Sequence, residues 1–202
     1  MSSNQTTENS NGATKKRLSK EARNRQLIDV AWSIVREEGT DALTLGYLAE
    51  RAEIAKPVVY DHFGTRTGLL GILYKEYDNR QHANMDEALL ACPKTLPAVA
   101  QVIGSTYIKC AIQMGHEMPG INAALAGSPE LGALKKEHDV LFLEKCQNVL
   151  EPFAQKPLTP AAMRAILGAA EALSFAAAAE ELDPEDALGE ICDVIIQITS
   201  RA

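Results

Sequence analysis

The segment LTLGYLAERAEIAKPVVYDHFGTRTGLL, residues 43–70, decides the predicted fold. Thr44 can cap a short helix that runs to residue 51, and a second short helix is predicted over residues 56–63. Two such helices meet at a sharp angle only if the middle of the first carries a small side chain, as Ala49 does. The apolar side chains that would fix the angle are Leu45, Leu48, Ile54, Val59 and Phe63. The pattern therefore predicts a helix-turn-helix.

The second helix of this motif carries an unusual number of polar side chains. Val59 and Phe63 lie four residues apart and define its buried face. With about 100° of rotation per residue, the polar side chains fall on or beside an exposed ridge whose width suits the major groove of DNA. On spacing alone, Tyr60 and His62 have an alternative role as ordinary half-buried residues. We predict base contacts from Lys56, Pro57 and Val58, and phosphate contacts from Thr44, Tyr60, His62 and Arg66.

Charge is distributed unevenly along the chain of 202 residues. The net charge is −7 overall, but it is +1 over residues 1–70 and −8 over residues 71–202. Residues 15–25 carry six basic side chains and one acidic side chain, Glu21. This end of the chain is therefore suited to a polyanion, although a solvated basic tail would show the same charges. Residues 1–14 are Ser/Thr/Asn-rich and are predicted to be disordered.

The segment 43–70 resembles the DNA-binding signature of tetracycline-repressor-type (TetR-family) bacterial regulators. The matching positions are Thr44, Leu48-Ala49, Tyr60-Asp61-His62-Phe63, Arg66 and Leu69-Leu70. The resemblance implies a sequence-specific transcriptional regulator, a repressor that a small-molecule ligand releases from its operator. It also implies an N-terminal three-helix DNA-binding domain and a larger C-terminal helical domain for ligand binding and dimerisation.

Four positions depart from the family pattern. Glu53 stands where glycine is usual in the turn, so a non-glycine residue must adopt a left-handed conformation at a cost of roughly 1–2 kcal/mol, or the turn differs. Ala55 replaces a capping serine, and Thr67 replaces an acidic residue. Gly46 lacks the basic side chain that some members direct to a base, which puts base contacts from the first helix of the motif in question.

The rest of the chain is predicted to be helical, which makes the fold all-α. Three helices share one start signal, a capping side chain followed by proline, at Ser128-Pro129, Thr159-Pro160 and Asp183-Pro184. The other helices are predicted over residues 19–38, from 65 past 77, 96–116 and 121–127, and the three proline starts open helices over 129–151, 160–182 and 184–200. We predict three regions: a basic-ended tail (1–17), a helix-turn-helix domain (18–66) and a helical domain (67–202).

The last two helices are the predicted homodimer interface, because two DNA-binding domains must be joined rigidly to bind the two half-sites of a palindromic operator. The first of them offers small side chains and the second an aliphatic stripe. The alternative is that this stripe packs only within its own chain. The predicted interface residues are Ala172, Phe175, Ala176, Ala179, Ile191, Val194, Ile195 and Ile198.

The middle helices are predicted to enclose a pocket for a small hydrophobic or amphipathic ligand. Apolar side chains with a few polar groups favour such a site, although each residue could also be plain core or surface. The predicted lining residues are Tyr107, Gln113, Met114, His116, Phe142 and Phe175. A competing hypothesis gives this domain no small-molecule site and makes it a platform for protein partners.

Other function classes find little support. No paired carboxylates, activated nucleophile or metal-ligand cluster stands at meaningful spacing, so no enzyme, cofactor or metal is predicted. The cysteines at 92, 110, 146 and 192 are predicted to be buried small hydrophobes, with redox sensing as the alternative. The polar N-terminus and the absence of a run of 18 apolar residues predict a cytoplasmic protein with no membrane span.

Overall fold

The computed structural model describes residues 18–118 and 120–201, and within these ranges the chain folds into α-helices without any β-strand. The predicted tail, residues 1–17, lies outside the described residues. The all-α prediction is confirmed. The helices are α1 (Lys20–Glu38), α2 (Leu45–Arg51), α3 (Lys56–Phe63), α4 (Arg66–Ala91), α5 (Leu96–Glu117), α6 (Ile121–Gly127), α7 (Pro129–Leu150), α8 (Pro160–Ala178) and α9 (Pro184–Arg201), with one 3₁₀ turn at Glu151–Phe153.

Hydroxyl caps begin most of these helices. In each case the side-chain oxygen accepts the backbone N–H of the residue three positions further on, at 3.0 to 3.4 Å, and so satisfies a donor that the helix leaves unpaired. Asp183 Oδ1 accepts the Glu185 N–H, two positions further on, at 2.8 Å. The predicted caps at Thr44, Ser128, Thr159 and Asp183 are therefore confirmed. The other hydroxyl caps are Ser19, Thr65 and Thr95.

Helix α8 ends four residues earlier than predicted, at Ala178. Glu180 takes a left-handed conformation with φ of 60°, and Glu181 N–H donates to Ala176 O at 2.9 Å. This is the hydrogen-bonding pattern of a Schellman cap, which usually places glycine at the left-handed position. This helix end was not predicted because the left-handed position holds Glu180 and not the usual glycine.

Two hydrophobic cores share helix α4. The first joins α1, α2 and α3 to the first half of α4, and α6 and the start of α7 pack on it through Ile121 and Leu131. The second joins α5, α8 and α9 to the other half of α4 through Met85 and Leu89. The first core thus continues along α4 to Tyr77, past the predicted domain boundary at residues 66–67. A shift of α4 would therefore change the packing of both cores.

Helix α8 is unusually apolar for a helix at the surface. Among the residues that the structure describes, it alone has the length and composition to cross a membrane, and a third of its apolar window is buried within the chain. Its inner face, which includes Met163 and Ile166, packs in the second core. Its outer face is exposed.

Candidate nucleic-acid interface and ligand cavity

The turn between α2 and α3 has the compact geometry that a helix-turn-helix requires. Ile54 N–H donates to Ala49 O at 2.9 Å, and Ala49 itself is buried between the helices. Glu53 has φ of 53°, so the predicted left-handed turn residue is present without glycine. Ala55 occupies the cap position of α3 without a side-chain hydrogen bond. The departures from the family pattern therefore leave the turn intact.

Helix α3 buries one face and exposes the other. Val59 and Phe63 lie in the first core, as predicted. Tyr60 points outward with 52% of its surface exposed, and Lys56 and Pro57 are also exposed. Val58 and His62 are half-buried at the sides of this ridge, and the His62 ring lies 6.0 Å from the Phe63 ring.

The start of α2 adjoins the start of α3. A Cβ atom at Gly46 would lie 3.9 Å from Lys56 Nζ, and the absence of a side chain there leaves that ammonium group open. Lys56 Nζ lies 3.6 Å from Glu50 Oε1 in an exposed ion pair, and such pairs contribute little and yield readily to another anion. Thr44 Oγ1 accepts the Tyr47 N–H, so its own O–H stays able to donate outward.

Arg66 is directed differently from the prediction. Its guanidinium turns back onto the loop between α1 and α2, where Nε donates to Leu43 O at 2.8 Å and one terminal nitrogen donates to Thr40 O at 2.6 Å. The same nitrogen lies 3.7 Å from the exposed Asp41 carboxylate. Because backbone carbonyls already occupy these donors, Arg66 ties α4 to the loop, and this conformation does not support the predicted phosphate contact.

An open groove runs between the start of α1 and the side of α3. It encloses about 990 Å³ and has Lys20 and Arg23 on one wall and Val58, Asp61 and His62 on the other. Sequence reasoning did not place α1 beside α3, because the pairing joins residues some forty positions apart. The groove adds two basic side chains to the edge of the exposed ridge.

The basic segment 15–25 is only partly available to a polyanion. Arg25 pairs with Asp29 at 2.6 Å and with Glu76 at 2.9 Å. The hydrogen bonds to Glu76 and Asp29 raise the pKa of Arg25, so its charge is permanent but already compensated. Lys15, Lys16 and Arg17 lie outside the described residues.

The helical half contains a cavity of about 110 Å³ lined by residues of α4, α5, α6, α7 and α8. Of the predicted lining residues, Tyr107, Met114, Phe142 and Phe175 do line it. Gln113 and His116 do not line it: both are exposed, and Gln113 Oε1 accepts a hydrogen bond from the wall residue Gln81 at 3.2 Å. The lining positions of that helix are 106, 107, 110, 111 and 114, so at about 100° per residue position 116 projects away from the cavity and position 113 lies to one side of it.

Aromatic rings form much of the cavity wall. The rings of Tyr107 and Phe142 meet edge to face at 5.0 Å, and His82 meets Phe142 in the same way at 6.0 Å. The ring of Tyr74 lies 5.5 Å from that of His138. Burial raises the pKa of both tyrosines well above their usual range, so their hydroxyls stay protonated.

A polar cluster on the cavity wall was not predicted. Asp78 Oδ2 contacts His138 Nδ1 closely and lies 3.3 Å from His82 Nε2. Burial, more than any nearby charge, lowers the pKa of His82. The signal in the sequence was the spacing of 78, 81, 82 and 85, which places these residues on one face of α4.

A second part of the cluster surrounds Lys135. Its Nζ lies 2.8 Å from Asp139 and 3.0 Å from Glu171. Burial lowers the pKa of Lys135, but the two carboxylates outweigh it and the net pKa is raised. Ser174 is buried on the wall, and its hydroxyl lacks a hydrogen-bond partner among the described residues.

The four cysteines are free thiols. Burial raises the pKa of Cys110 to about 11 and that of Cys146 to about 12. A thiol must ionise to react, so these two are poor nucleophiles. Cys146 and Cys192 are buried as predicted, and Cys92 and Cys110 are half-buried.

The outer face of α8 carries small apolar side chains spaced alternately by four and three residues. Gly168 lies in its middle, and a Cβ atom there would have nothing within 4 Å. Phe175 is 46% exposed, and Ala176 is half-buried at the edge of the face. The exposed face, here called the α8 stripe, consists of Ala161, Ala165, Gly168, Ala172, Phe175 and Ala179.

Helix α9 presents a different face from the one predicted for dimerisation. Ile191, Ile195 and Ile198 are buried within their own chain, in the second core between α5 and α8. In this position they offer little exposed surface to a partner, which favours the alternative that the stripe packs within its own chain. Val194 is half-buried against the same core. The apolar stripe of this amphipathic helix was the correct observation, but its partner is intramolecular.

Comparisons with known proteins agree with this geometry. Residues 27–72 match the family model for bacterial regulatory proteins of the tetR family. No curated protein matches the chain. The TetR-family regulator SCO4454 from Streptomyces coelicolor is similar, with 14% sequence identity and a TM-score of 0.64 over 91% of this chain and 97% of that chain. FadR from Bacillus subtilis, solved with stearoyl-CoA, has 17% identity and a TM-score of 0.64 over 88% of this chain and 98% of that chain. LfrR from Mycobacterium smegmatis, solved with proflavine, has 18% identity and a TM-score of 0.55 over 88% of this chain and 97% of that chain.

These matches confirm the resemblance to TetR-family transcriptional regulators. Residues 27–72 carry the family's N-terminal sequence pattern, and they contain the helix-turn-helix formed by α2 and α3. Over most of the chain the likeness lies in the fold, because sequence identity to the solved structures is low.

Proposed function

We propose that this protein is a homodimeric repressor that binds a palindromic DNA operator and is released from it by a small ligand. The observation that carries the proposal is the outward ridge of α3 within the matched segment. Lys56, Pro57 and Val58 contact base edges, because this end of the ridge is exposed and unobstructed at Gly46. Thr44, Tyr60 and His62 contact phosphates on either side.

Two protomers pair through the α8 stripe. Its small side chains let a partner helix approach closely, and alternate spacings of four and three match the seam between two packed helices. Pairing also covers the exposed apolar surface of α8. Ala172, Phe175, Ala176 and Ala179 remain in the proposed interface, joined by Gly168 and the other members of the stripe.

The ligand acts through α4 and α6. Helix α4 begins at the DNA-binding head and supplies Tyr74, Asp78 and Met85 to the cavity wall. Helix α6 touches the head from the other side, since a Cβ atom at Gly120 would lie 2.6 Å from Thr40 Oγ1. A ligand that favours one position of α4 would alter the separation of the two heads and lower operator affinity.

The cavity favours this mechanism over a platform for protein partners. Two proteins of the same fold hold small molecules, as FadR is solved with stearoyl-CoA and LfrR with proflavine. We propose residues 18–66 as the DNA-binding domain and residues 67–202 as the ligand-binding and dimerisation domain. A regulator of this kind acts in the cytoplasm and has no catalytic activity of its own.

The DNA-binding part is tested with a duplex selected by the protein from a random library. Tyr60→Phe removes one phosphate donor and should weaken binding about three- to tenfold on every sequence. Tyr47→Phe is the matched control, because the Tyr47 hydroxyl binds Glu38 on another face of the head. Equal affinities for wild type and Tyr60→Phe would contradict the phosphate contact.

The dimer is tested by placing a charge in the α8 stripe. Gly168→Arg should give monomers in sedimentation experiments and abolish tight operator binding. Gly115→Arg is the control, since this glycine is exposed on α5 with nothing within 4 Å of its Cβ position. A Gly168→Arg protein that stays dimeric would place the interface elsewhere.

A further inference from the structure

We propose that the cavity accepts an amphipathic cation with an aromatic head. The inference rests on the proposed function, in which this cavity is the effector site. It concerns the charge of the ligand, which the helix-turn-helix and the fold leave open.

Acidic groups outnumber basic groups on the cavity wall. Helix α4 contributes Asp78, and helices α7 and α8 contribute Asp139 and Glu171. Lys135 is the basic side chain on the same wall, and His82 is neutral near pH 7 because its pKa is lowered. The wall therefore carries an excess of negative charge even when His138 beside Asp78 is protonated.

The lysine of the wall is already neutralised. Lys135 Nζ bridges Asp139 and Glu171, so an anionic ligand would have to separate this ammonium from two carboxylates. A neighbouring lysine, Lys145, is likewise held by Asp86 at 2.7 Å outside the cavity. A cationic ligand meets no such obstacle, because it can share the Asp139 and Glu171 oxygens while Lys135 stays in place.

The apolar part of the cavity also suits a cation. The rings of Tyr74, Tyr107 and Phe142 line the space, and aromatic faces attract cations that have left water. The cavity of about 110 Å³ is smaller than the roughly 150 Å³ that holds benzene in an engineered protein, so one aromatic ring fills it after slight expansion.

Two further features point to a ligand. The Ser174 hydroxyl is buried on the wall without a partner among the described residues, and a buried hydroxyl without a hydrogen bond is costly. An open groove beside α6 shares Leu125, Lys135 and Phe175 with the cavity. The remainder of an amphipathic ligand can extend into this groove.

The test compares three probes that share a benzyl group. Benzyltrimethylammonium is a cation, neopentylbenzene is its neutral isostere, and phenylacetate is an anion. Binding to the full-length protein is measured by calorimetry, with the neutral probe as a competitor. We expect the cation to bind about tenfold tighter than the neutral isostere and the anion to bind weakest.

Charge-neutral variants separate the ionic contribution from packing. Glu171→Gln should weaken cation binding about five- to tenfold and leave the neutral isostere within about twofold. Glu137→Gln is the matched control, because Glu137 is exposed on α7 and does not line the cavity. If Glu171→Gln folds poorly, Asp139→Asn tests the same expectation.

The outcomes distinguish the two levels of the proposal. A neutral or anionic probe that binds as tightly as the cation overturns the charge inference while leaving the cavity as an effector site. An equal effect of Glu171→Gln on cation and neutral isostere has the same consequence. Failure of all three probes, each at the highest concentration it reaches in buffer, contradicts both the charge inference and the effector site, whereas the DNA-binding proposal is tested separately by the duplex measurements with Tyr60→Phe and Lys56→Ala.

Discussion

Replacing Arg66 by alanine separates a structural role from a DNA-binding role. In the structure the guanidinium donates to Leu43 O and Thr40 O and thereby holds the start of α4 against the loop between α1 and α2. Both of these residues are buried, so the loop depends on internal partners. We predict that Arg66→Ala lowers the free energy of unfolding and leaves the number of phosphate contacts unchanged.

The magnitude follows from the contacts that are lost. A hydrogen bond to a charged group contributes about 1.5–3 kcal/mol when buried. The Arg66 side chain is 40% exposed, and Asp41 is fully exposed at 3.7 Å, so both contacts are partly screened by water. We expect a total loss of about 2 kcal/mol, which corresponds to a fall in Tm of about 4–8 °C for a chain of this size.

Two measurements on the same variant decide between the roles. Urea unfolding gives the stability change, and DNA affinity between 50 and 200 mM salt gives the number of phosphates neutralised. Arg66→Lys, which keeps the charge but only part of the hydrogen bonding, should lose about half as much stability. A salt slope lowered by about 1 per protomer in Arg66→Ala, with unfolding unchanged, would refute the structural role and restore the phosphate contact.

Three further substitutions test packing, backbone strain and pH dependence. In Gly104→Ala the new Cβ would lie 2.9 Å from Leu188 Cδ1, the end of a flexible side chain, and 3.2 Å from Ile191 Cγ2, so the cost of repacking should cancel the gain in helix propensity and leave the unfolding free energy nearly unchanged. Gly115→Ala, in open space on the same helix, should raise the unfolding free energy by about 0.5–1 kcal/mol in urea unfolding. Glu53→Gly should relieve the left-handed turn and raise the urea midpoint, with a net gain of less than about 1 kcal/mol because glycine also loosens the unfolded chain. The pKa of His82 is lowered below 6.5 in the folded state, so the unfolded chain binds more protons and the free energy of unfolding should fall as the pH drops below about 6.5. His82→Gln should flatten this fall between pH 7 and 5. An unchanged profile of stability against pH would contradict the role of His82.

Local signals explain why the helix starts were predictable. A capping hydroxyl, a proline in the first turn or a stopping glycine acts within a few residues, so α1, α2 and α3 begin and end where the sequence predicts. The end of α8 carried no such signal, because Glu180 takes a left-handed conformation that is usual for glycine and not for glutamate. The same holds for the left-handed turn at Glu53, which only comparison with the family pattern indicated.

Side-chain partners distant in sequence were not predictable. The Asp78–His138 contact spans 60 residues, and Glu171 reaches Lys135 across 36. Arg66 was expected to face outward because its position on a helix start suits a phosphate, but carbonyls 23 and 26 residues earlier compete for the same donors. The α9 stripe shows a related difficulty, because periodicity indicates an apolar face but not the surface against which that face packs.

Selection of DNA from a random library, done in parallel with wild type and Lys56→Ala, tests most directly whether α3 reads DNA. We predict that wild type enriches an inverted repeat whose half-sites lie about 10 base pairs apart, or a multiple of that. Lys56→Ala should lose the base preference at one equivalent position in both halves. Identical selected sequences for the two proteins, or an enriched site without symmetry, would contradict the proposal that a dimer reads its operator through this helix.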